Sequence, residues 1–109
     1  MKKQFFGQVG KLLPAKVPEY VELHNHPWPG VLKKIKECNL QNYSIFLHGT
    51  IVFAYFEYTG TDYQKDMELM ARDLETQEWW KHTKPCFESF AFSKNEEYYA
   101  DMNQIFYLS

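Results

Sequence analysis

Two histidines and a tyrosine lie close together in the stretch EYVELHNHPWPGV, residues 19–31, at a spacing that suits acid/base chemistry. Tyr20 and His24 are four residues apart, so on a helix they share one face. Imidazole titrates near neutral pH, which makes histidine the usual general acid or base. The alternatives are core packing of Tyr20 and a helix-surface or core position for His24. His24 is therefore the candidate catalytic residue, and Tyr20 is its candidate neighbour in a binding site.

Two prolines interrupt the helix immediately after His24. Pro27 lacks a backbone donor, and Pro29 biases Trp28 away from the α region. A helix that breaks at this point exposes the His24 imidazole at the edge of a cleft. The candidate residues for the wall of that cleft are Asn25, His26 and Trp28. The alternatives are a surface position for His26 and a sealing wedge for Trp28.

Three further aromatic residues are candidates for binding a ligand. Trp79 and Trp80 are adjacent, and neighbouring residues of a helix point about 100° apart, so one indole can enter the core while the other faces a cleft. Indole rings stack on the C–H faces of sugars, and the indole N–H bonds hydroxyls. Tyr43 lies in the strand-like run QNYSIFL, on the same side as Ile45 and Leu47. Packing in a core or interface is the alternative for all three.

The composition argues against several classes of ligand. The net charge is −2 and no basic face is evident, so we expect no nucleic-acid partner. Arg72 is the sole arginine, and because guanidinium groups commonly grip phosphates and carboxylates, its isolation favours a neutral ligand. The four histidines do not have metal-ligand spacing, and no glycine-rich phosphate loop or serine nucleophile motif occurs. We therefore expect neither a metal nor a cofactor.

The cysteines and the hydropathy pattern predict the compartment. Cys38 and Cys86 form no metal or redox motif and are expected to be small core residues in a reducing environment. No stretch reaches membrane-spanning length, and the N-terminus lacks the long apolar segment of a signal peptide. The expectation is a cytoplasmic protein with no membrane partner.

The hydrophobic patterns predict the element order strand, helix, strand, strand, helix, strand. The predicted elements are a strand over 3–11, an interrupted helix over 14–39, a hairpin of strands 40–47 and 51–58, a helix over 61–83 and a strand over 103–108. Residues 86–97 are expected to be mostly loop. In the resumed helix, Val31, Leu32 and Ile35 are expected to face inward.

This order is that of an α+β protein, the ferredoxin-like βαββαβ sandwich, formed as a single domain over residues 1–109. Its antiparallel sheet carries helices on one face and leaves the other uncovered. Two-fold pairing through that face is the simplest cover, and it yields a dimeric α+β barrel. A homodimer is therefore expected. Aromatic residues make up 18% of the chain, more than one small core requires, so some of them should line a pocket or a subunit interface.

Several short motifs follow one another along nearly the whole chain. They are Tyr20-x-x-x-His24-Asn25, Trp28-Pro29, Asn42-Tyr43-Ser44-Ile45-Phe46-Leu47, Thr76-Gln77-x-Trp79-Trp80 and Phe106-Tyr107-Leu108. Each is unspecific alone, but in this order and spacing they resemble the L-rhamnose mutarotase family. The sequence departs from the family pattern at Asn25-His26-Pro27, where the proline comes one residue later than usual. It also lacks a clear match over 86–99.

The resemblance implies a dimeric ferredoxin-like enzyme that interconverts the α and β anomers of L-rhamnose without a cofactor. Position by position, His24 corresponds to the family's proton donor, and its substrate-binding residues correspond to Tyr20, Tyr43, Trp79 and Trp80. The second proton-transfer group is left open among Tyr20, Tyr43, a water and a backbone carbonyl.

Other substrates and activities fit the same features. The departures leave L-fucose or another neutral or 6-deoxy aldose as an alternative substrate. Small dimeric ferredoxin-like proteins also include cofactor-independent monooxygenases and haem-degrading enzymes, which use aromatic pockets with a histidine. A non-catalytic sugar-binding subunit is a third option, because one fold hosts many functions.

Overall fold

The computed structural model of the protein describes residues 3–88 and 98–109. The strands in this part of the chain are β1 (Gln4–Lys11), β2 (Leu40–His48), β3 (Ile51–Tyr58) and β4 (Ala100–Met102). The helices are α1 (Val17–Asn25), α2 (Pro29–Glu37), α3 (Tyr63–Arg72) and α4 (Leu74–Thr83). Single 3-10 turns, Pro14–Lys16 and Lys84–Cys86, precede α1 and follow α4.

The strands form one antiparallel sheet in the order β2-β3-β1-β4. This is the order of a ferredoxin-like fold, so the fold predicted from the element sequence is confirmed. Alternation along β3 turns four side chains towards the helices, and all are buried: Val52, Ala54, Phe56 and Tyr58. Their neighbours Phe53 and Tyr55 therefore point to the sheet face that carries no helix.

The buried side chains form two clusters between the sheet and the helices. One cluster comprises Cys38, Leu40, Phe56, Tyr58 and Met70. The other comprises Leu12, Tyr20, Val52 and Cys86, with Ile45, Phe87 and Tyr99 packed against it. The second cluster contains a predicted site residue, so the core supports one side of the candidate site directly.

The helix interruption after His24 is present as predicted. Trp28 is extended, with φ −76° and ψ 130°, and Pro29 follows it in the first turn of α2. Val31 is 4% exposed and Ile35 packs on the core, as expected. Leu32 was expected to face inward as well, but it is 46% exposed, because it lies about 100° around the helix from Val31.

The helix predicted over 61–83 is two helices, α3 and α4, so that prediction was wrong in its middle. The chain breaks at Asp73, whose backbone is extended with φ −71° and ψ 124°. The Asp73 carboxylate accepts hydrogen bonds from the Thr76 backbone N–H at 3.0 Å and from its hydroxyl at 2.8 Å. Aspartate caps a new helix better than it continues an old one. In the described ranges no helix is long and apolar enough to span a membrane.

The closing strand lies earlier than predicted. The prediction placed it at 103–108, but β4 is Ala100–Met102 and pairs with Gly7–Val9 of β1, while 103–108 forms no strand. The run NQIFYL has strand-like composition, yet a strand also requires a hydrogen-bonding edge, and the pairing with β1 ends at Met102. Most of the loop predicted over 86–97 lies outside the described residues.

Candidate active site

Helix α1 brings Tyr20 and His24 together at its C-terminal end. Their ring centroids are 4.4 Å apart, as the four-residue spacing predicts. The His24 Nδ1 atom lies 2.8 Å from the backbone carbonyl oxygen of Tyr20. Tyr20 is 4% exposed and belongs to the core, whereas His24 is half-buried. The buried tyrosine therefore fixes the position from which the imidazole projects.

Burial sets the protonation of His24. The imidazole loses hydration in its half-buried position, which lowers its pKa from 6.5, and the hydrogen bond to the Tyr20 carbonyl opposes that effect in part. A neutral ring at neutral pH follows. A carbonyl oxygen accepts but never donates, so the Nδ1 atom carries the proton of this hydrogen bond. In the neutral ring Nε2 is then the atom with a free lone pair.

The tandem tryptophans of α4 diverge as predicted. Trp79 is 7% exposed and makes an edge contact with His24 at 5.4 Å between centroids. Trp80 is half-buried, and the ammonium of Lys84 lies 4.5 Å from its ring centroid. Trp79 therefore packs against the imidazole, while Trp80 presents a more accessible aromatic surface.

Tyr43 reaches the same region from β2. Its ring stacks on Phe56 with centroids 5.1 Å apart, and 40% of the residue is exposed. A bulge lies between Gln41 and Ser44, where the strand register shifts. The bulge re-aims the side chains around it, as β-bulges commonly do near functional sites. Tyr43 thus lines the cleft together with Ile45.

Sequence reasoning missed a fourth element of the site, the residues that precede β4. The hydroxyl of Tyr99 lies 2.6 Å from the hydroxyl of Tyr20. Phe87 packs edge-on against both rings, at 5.4 Å from Tyr20 and 5.2 Å from Tyr99. Burial raises the pKa of both phenols well above the usual tyrosine range. The adjacent tyrosines at 98 and 99 were a compositional signal, but nothing local pairs them with α1.

These elements enclose a pocket of about 310 Å³. Its described lining consists of Tyr20, His24, Tyr43, Ile45, Trp79, Trp80, Thr83, Lys84, Phe87, Tyr98 and Tyr99. The structure therefore brings together the candidate catalytic histidine and all four candidate binding residues. A volume near 300 Å³ is at the small end for ligand sites and suits a monosaccharide.

The three residues expected to form the cleft wall lie outside this lining. Asn25 is exposed, and His26 turns to solvent, where its Nδ1 lies 3.0 Å from the Glu22 carboxylate. Trp28 packs edge-on against Trp79, at 5.4 Å, and against His82 at 5.6 Å. Trp28 therefore contacts Trp79, a residue of the pocket wall, without lining the pocket itself.

A second hollow of about 490 Å³ shares Trp80, Lys84 and Tyr98 with this pocket. It is larger but more open, and its lining is Gln77, Trp80, Lys81, Lys84, Pro85 and Tyr98. Its described lining contains neither a histidine nor a buried hydroxyl pair, so the smaller pocket is the candidate active site. Among the described residues, no three His, Cys, Asp or Glu side chains cluster as metal ligands.

Comparison with known proteins gives a consistent result. The family model described as L-rhamnose mutarotase matches residues 6–108. An L-rhamnose mutarotase of Oceanobacillus iheyensis is 29% identical over 104 residues, covering 94% of this chain and 95% of that protein. An L-rhamnose mutarotase of Opitutus terrae is 32% identical over 91 residues, covering 83% of this chain and 84% of that protein.

Solved structures agree on the fold. The crystal structure of an L-rhamnose mutarotase from Formosa agariphila superposes with a TM-score of 0.76 at 19% identity, covering 97% of this chain and 99% of that one. A conserved protein from Methanosarcina mazei superposes with a TM-score of 0.60 at 15% identity, covering 83% of this chain and 86% of that one.

Proposed function

Because the chain belongs to the L-rhamnose mutarotase family, we propose that it interconverts the α and β anomers of L-rhamnose by general acid/base opening and closing of the sugar ring. Ring opening needs a proton on the ring oxygen and the removal of one from the anomeric hydroxyl. Neither step needs a covalent adduct with the protein. A positioned acid or base contributes about 10²–10⁴-fold.

His24 is the proposed catalytic residue. The single observation that carries this role is the shared pocket, in which the His24 imidazole lies with Tyr20, Tyr43 and both tandem tryptophans. The half-buried ring is held by the Tyr20 carbonyl and by the edge of Trp79. A general base or acid works only when it is held within reach of its proton, and this packing supplies that restraint.

Tyr20, Tyr43, Trp79 and Trp80 are the proposed substrate-binding residues. Aromatic faces suit the C–H surface of a sugar ring, and phenol hydroxyls suit its hydroxyl groups. Lys84 is the one cationic residue in the described lining, and its ammonium lies over Trp80. A pocket built mainly from aromatic rings and hydroxyls favours a neutral aldose over a sugar phosphate.

We also propose that the active form is a cytoplasmic homodimer of single-domain protomers, paired through the helix-free sheet face. Phe46 is 60% exposed and Met102 is 50% exposed on that face. In the tail beyond β4, Ile105 is 95% exposed and Leu108 is 80% exposed. Large exposed apolar side chains on a sheet face without helices, and in the tail beside it, support an association surface. Both cysteines are buried and free, as in proteins of a reducing compartment.

Sedimentation equilibrium of the wild type and of Phe46→Glu tests the dimer. We expect a dimer for the wild type and a shift to monomer for the variant, since a charge would be buried in the interface. Leu74→Glu is the matched control, because Leu74 is 75% exposed on α4 and lies outside the sheet. A monomeric wild type at micromolar concentration would refute the dimer.

Saturation-transfer NMR on an equilibrium mixture of L-rhamnose anomers tests the activity. One anomeric proton is saturated, and catalytic amounts of the protein should carry saturation to the other. Transfer with L-fucose but not with L-rhamnose would keep the chemistry and change the substrate. Binding of L-rhamnose without any transfer would refute the enzymatic role and indicate a sugar-binding subunit.

A further inference from the structure

The hydrogen bond between His24 and Tyr20 fixes which imidazole nitrogen is available. The Nδ1 atom donates to the Tyr20 carbonyl at 2.8 Å and is turned towards the helix backbone. Nε2 lies on the opposite side of the ring, and no described residue forms a hydrogen bond to it. Since His24 lines the pocket, the atom presented to a ligand is Nε2, and in the neutral ring it is a proton acceptor.

No described side chain in the lining favours the protonated ring; the Tyr20 carbonyl does so only in part against the effect of burial. The titratable residues that face His24 around the pocket are Tyr20, Tyr43, Lys84, Tyr98 and Tyr99. None of them is a carboxylate, and the one cation opposes a second positive charge. The geometry thus holds His24 in its neutral form, which donates a proton to a ligand only after it has accepted one.

The hydrogen-bonded tyrosines Tyr20 and Tyr99 have one hydroxyl proton that their mutual hydrogen bond does not use. Two phenol hydroxyls carry two protons, and the 2.6 Å hydrogen bond between Tyr20 and Tyr99 uses one of them, whichever residue donates. The other hydroxyl proton remains available, and both residues line the pocket. Their buried phenols stay protonated across the neutral range, because burial raises the pKa of each. The pair is therefore a hydrogen-bond donor to any ligand in the pocket.

We propose that ring opening has a fixed polarity, in which His24 Nε2 accepts the anomeric proton and the Tyr20–Tyr99 hydroxyl pair protonates the ring oxygen. This inference rests on the proposed function and reverses the donor role that the resemblance implies for His24. It also adds Tyr99 to the residues that act on the sugar.

The step balances without an external reagent. His24 Nε2 takes the proton of the anomeric O–H, and the electron pair of that bond forms the C=O bond of the open aldehyde. The bond between the anomeric carbon and the ring oxygen breaks, and its electron pair stays on the ring oxygen. The free proton of the tyrosine pair moves to that oxygen, and the remaining hydrogen bond stabilises the charge left on the pair.

Ring closure reverses both transfers. After rotation about the bond between the first two sugar carbons, the imidazolium returns its proton to the carbonyl oxygen, and the open-chain hydroxyl returns its proton to the tyrosine pair. A phenol with a raised pKa is closer in acidity to an alcohol than a free tyrosine is. The transfer between them is therefore more nearly balanced in energy in both directions.

The pH dependence of kcat/KM for anomer exchange distinguishes His24 as proton acceptor from His24 as proton donor. It is measured from about pH 5 to about pH 9, with the buffer-catalysed rate subtracted. An acceptor role predicts a rate that rises with pH through one ionisation below 6.5, the ordinary histidine value, and then stays level. A rate that falls as His24 loses its proton would overturn the proposed polarity. Two-bond ¹H–¹⁵N correlation of the His24 ring gives an independent test, since a proton on Nε2 in the neutral ring would also overturn it.

Tyr99→Phe tests the donor pair. We expect kcat to fall by roughly 10- to 100-fold with a smaller change in KM, because the remaining Tyr20 hydroxyl loses the hydrogen bond that positions it and stabilises its charge after donation. Tyr63→Phe is the control; the Tyr63 hydroxyl forms no hydrogen bond within 3–88 and 98–109, and its ring stacks on Phe6 and is not part of the described pocket lining. Tyr20→Phe removes the other hydroxyl and serves if Tyr99→Phe fails to fold. An unchanged kcat in folded Tyr99→Phe and in folded Tyr20→Phe would remove the pair from the mechanism.

The same experiments distinguish this inference from the function on which it rests. Exchange by the wild type that weakens with rising pH would overturn the polarity and leave the mutarotase function intact. No exchange of any aldose at any pH would overturn both together.

Discussion

The hydroxyls of Tyr20 and Tyr99 lie 2.6 Å apart although the two residues are separated by 79 positions in the chain. Tyr20 reaches the pocket from α1, and Tyr99 reaches it from the segment that leads into β4. The contact exists because β4 pairs with β1, which places Val9 opposite Ala100. The sheet order thus brings Tyr99 to the part of the site that α1 supplies.

Replacing His24 with alanine should abolish most anomer exchange. We expect a loss of about 10²–10⁴-fold in kcat/KM with the fold retained, because the variant removes one half-buried ring that lines the pocket. Saturation-transfer NMR gives the rate and circular dichroism checks the fold. His26→Ala is the matched control; its ring is exposed and bonds only Glu22 among the described residues. Equal losses in both variants would contradict the assignment of the site to His24.

His24 should also make the stability of the protein depend on pH. Its folded-state pKa lies below the unfolded value of 6.5, so the unfolded state binds the proton more tightly. The contribution is fully present above pH 6.5 and is lost as the pH falls through 6.5 towards the folded pKa. Urea unfolding of the wild type and of His24→Gln at about pH 7.5 and about pH 5 isolates it. At the lower pH the free energy of unfolding of the wild type should fall relative to that of His24→Gln. A relative rise would contradict a neutral buried ring.

Substitutions of the two tandem tryptophans should have different main effects, on stability for Trp79 and on sugar binding for Trp80. Trp79→Ala should lower the free energy of unfolding by about 3–5 kcal/mol, because Trp79 is buried between Trp28 and His24. Trp80→Leu should instead weaken sugar binding by roughly 2- to 10-fold, since the loss of one aromatic stacking surface costs about 0.5–1.5 kcal/mol. Urea unfolding and titration calorimetry with L-rhamnose measure the two quantities. A Trp80→Leu variant with unchanged affinity would exclude Trp80 from the sugar site.

The break between α3 and α4 should depend on the Asp73 cap. Asp73→Ala should destabilise the protein by about 1 kcal/mol, because the Thr76 backbone N–H loses its acceptor. Asp73→Asn should cost far less, since asparagine caps helices about as well as aspartate does. Thermal unfolding followed by circular dichroism compares the two variants. Equal destabilisation would indicate that the charge of Asp73, and not its capping hydrogen bond, matters at this position.

The element order and much of the pocket followed from local pattern. The four-residue spacing of Tyr20 and His24, the proline break after them and the divergence of Trp79 and Trp80 all arise from helix geometry within one or two turns. Such patterns depend on neighbours in the chain, so the sequence alone specifies them. The alternation that places Tyr43 beside Ile45 is local in the same sense.

Tertiary structure decided the rest. Only the packed fold places Trp28 against Trp79, because the partner ring belongs to α4, about 50 positions further along the chain. Only the sheet order brings Tyr99 to Tyr20 and limits the closing strand to Ala100–Met102. A preference of a few residues for strand or helix reports short-range sterics, whereas these contacts depend on which edges and faces remain free once the whole chain has packed.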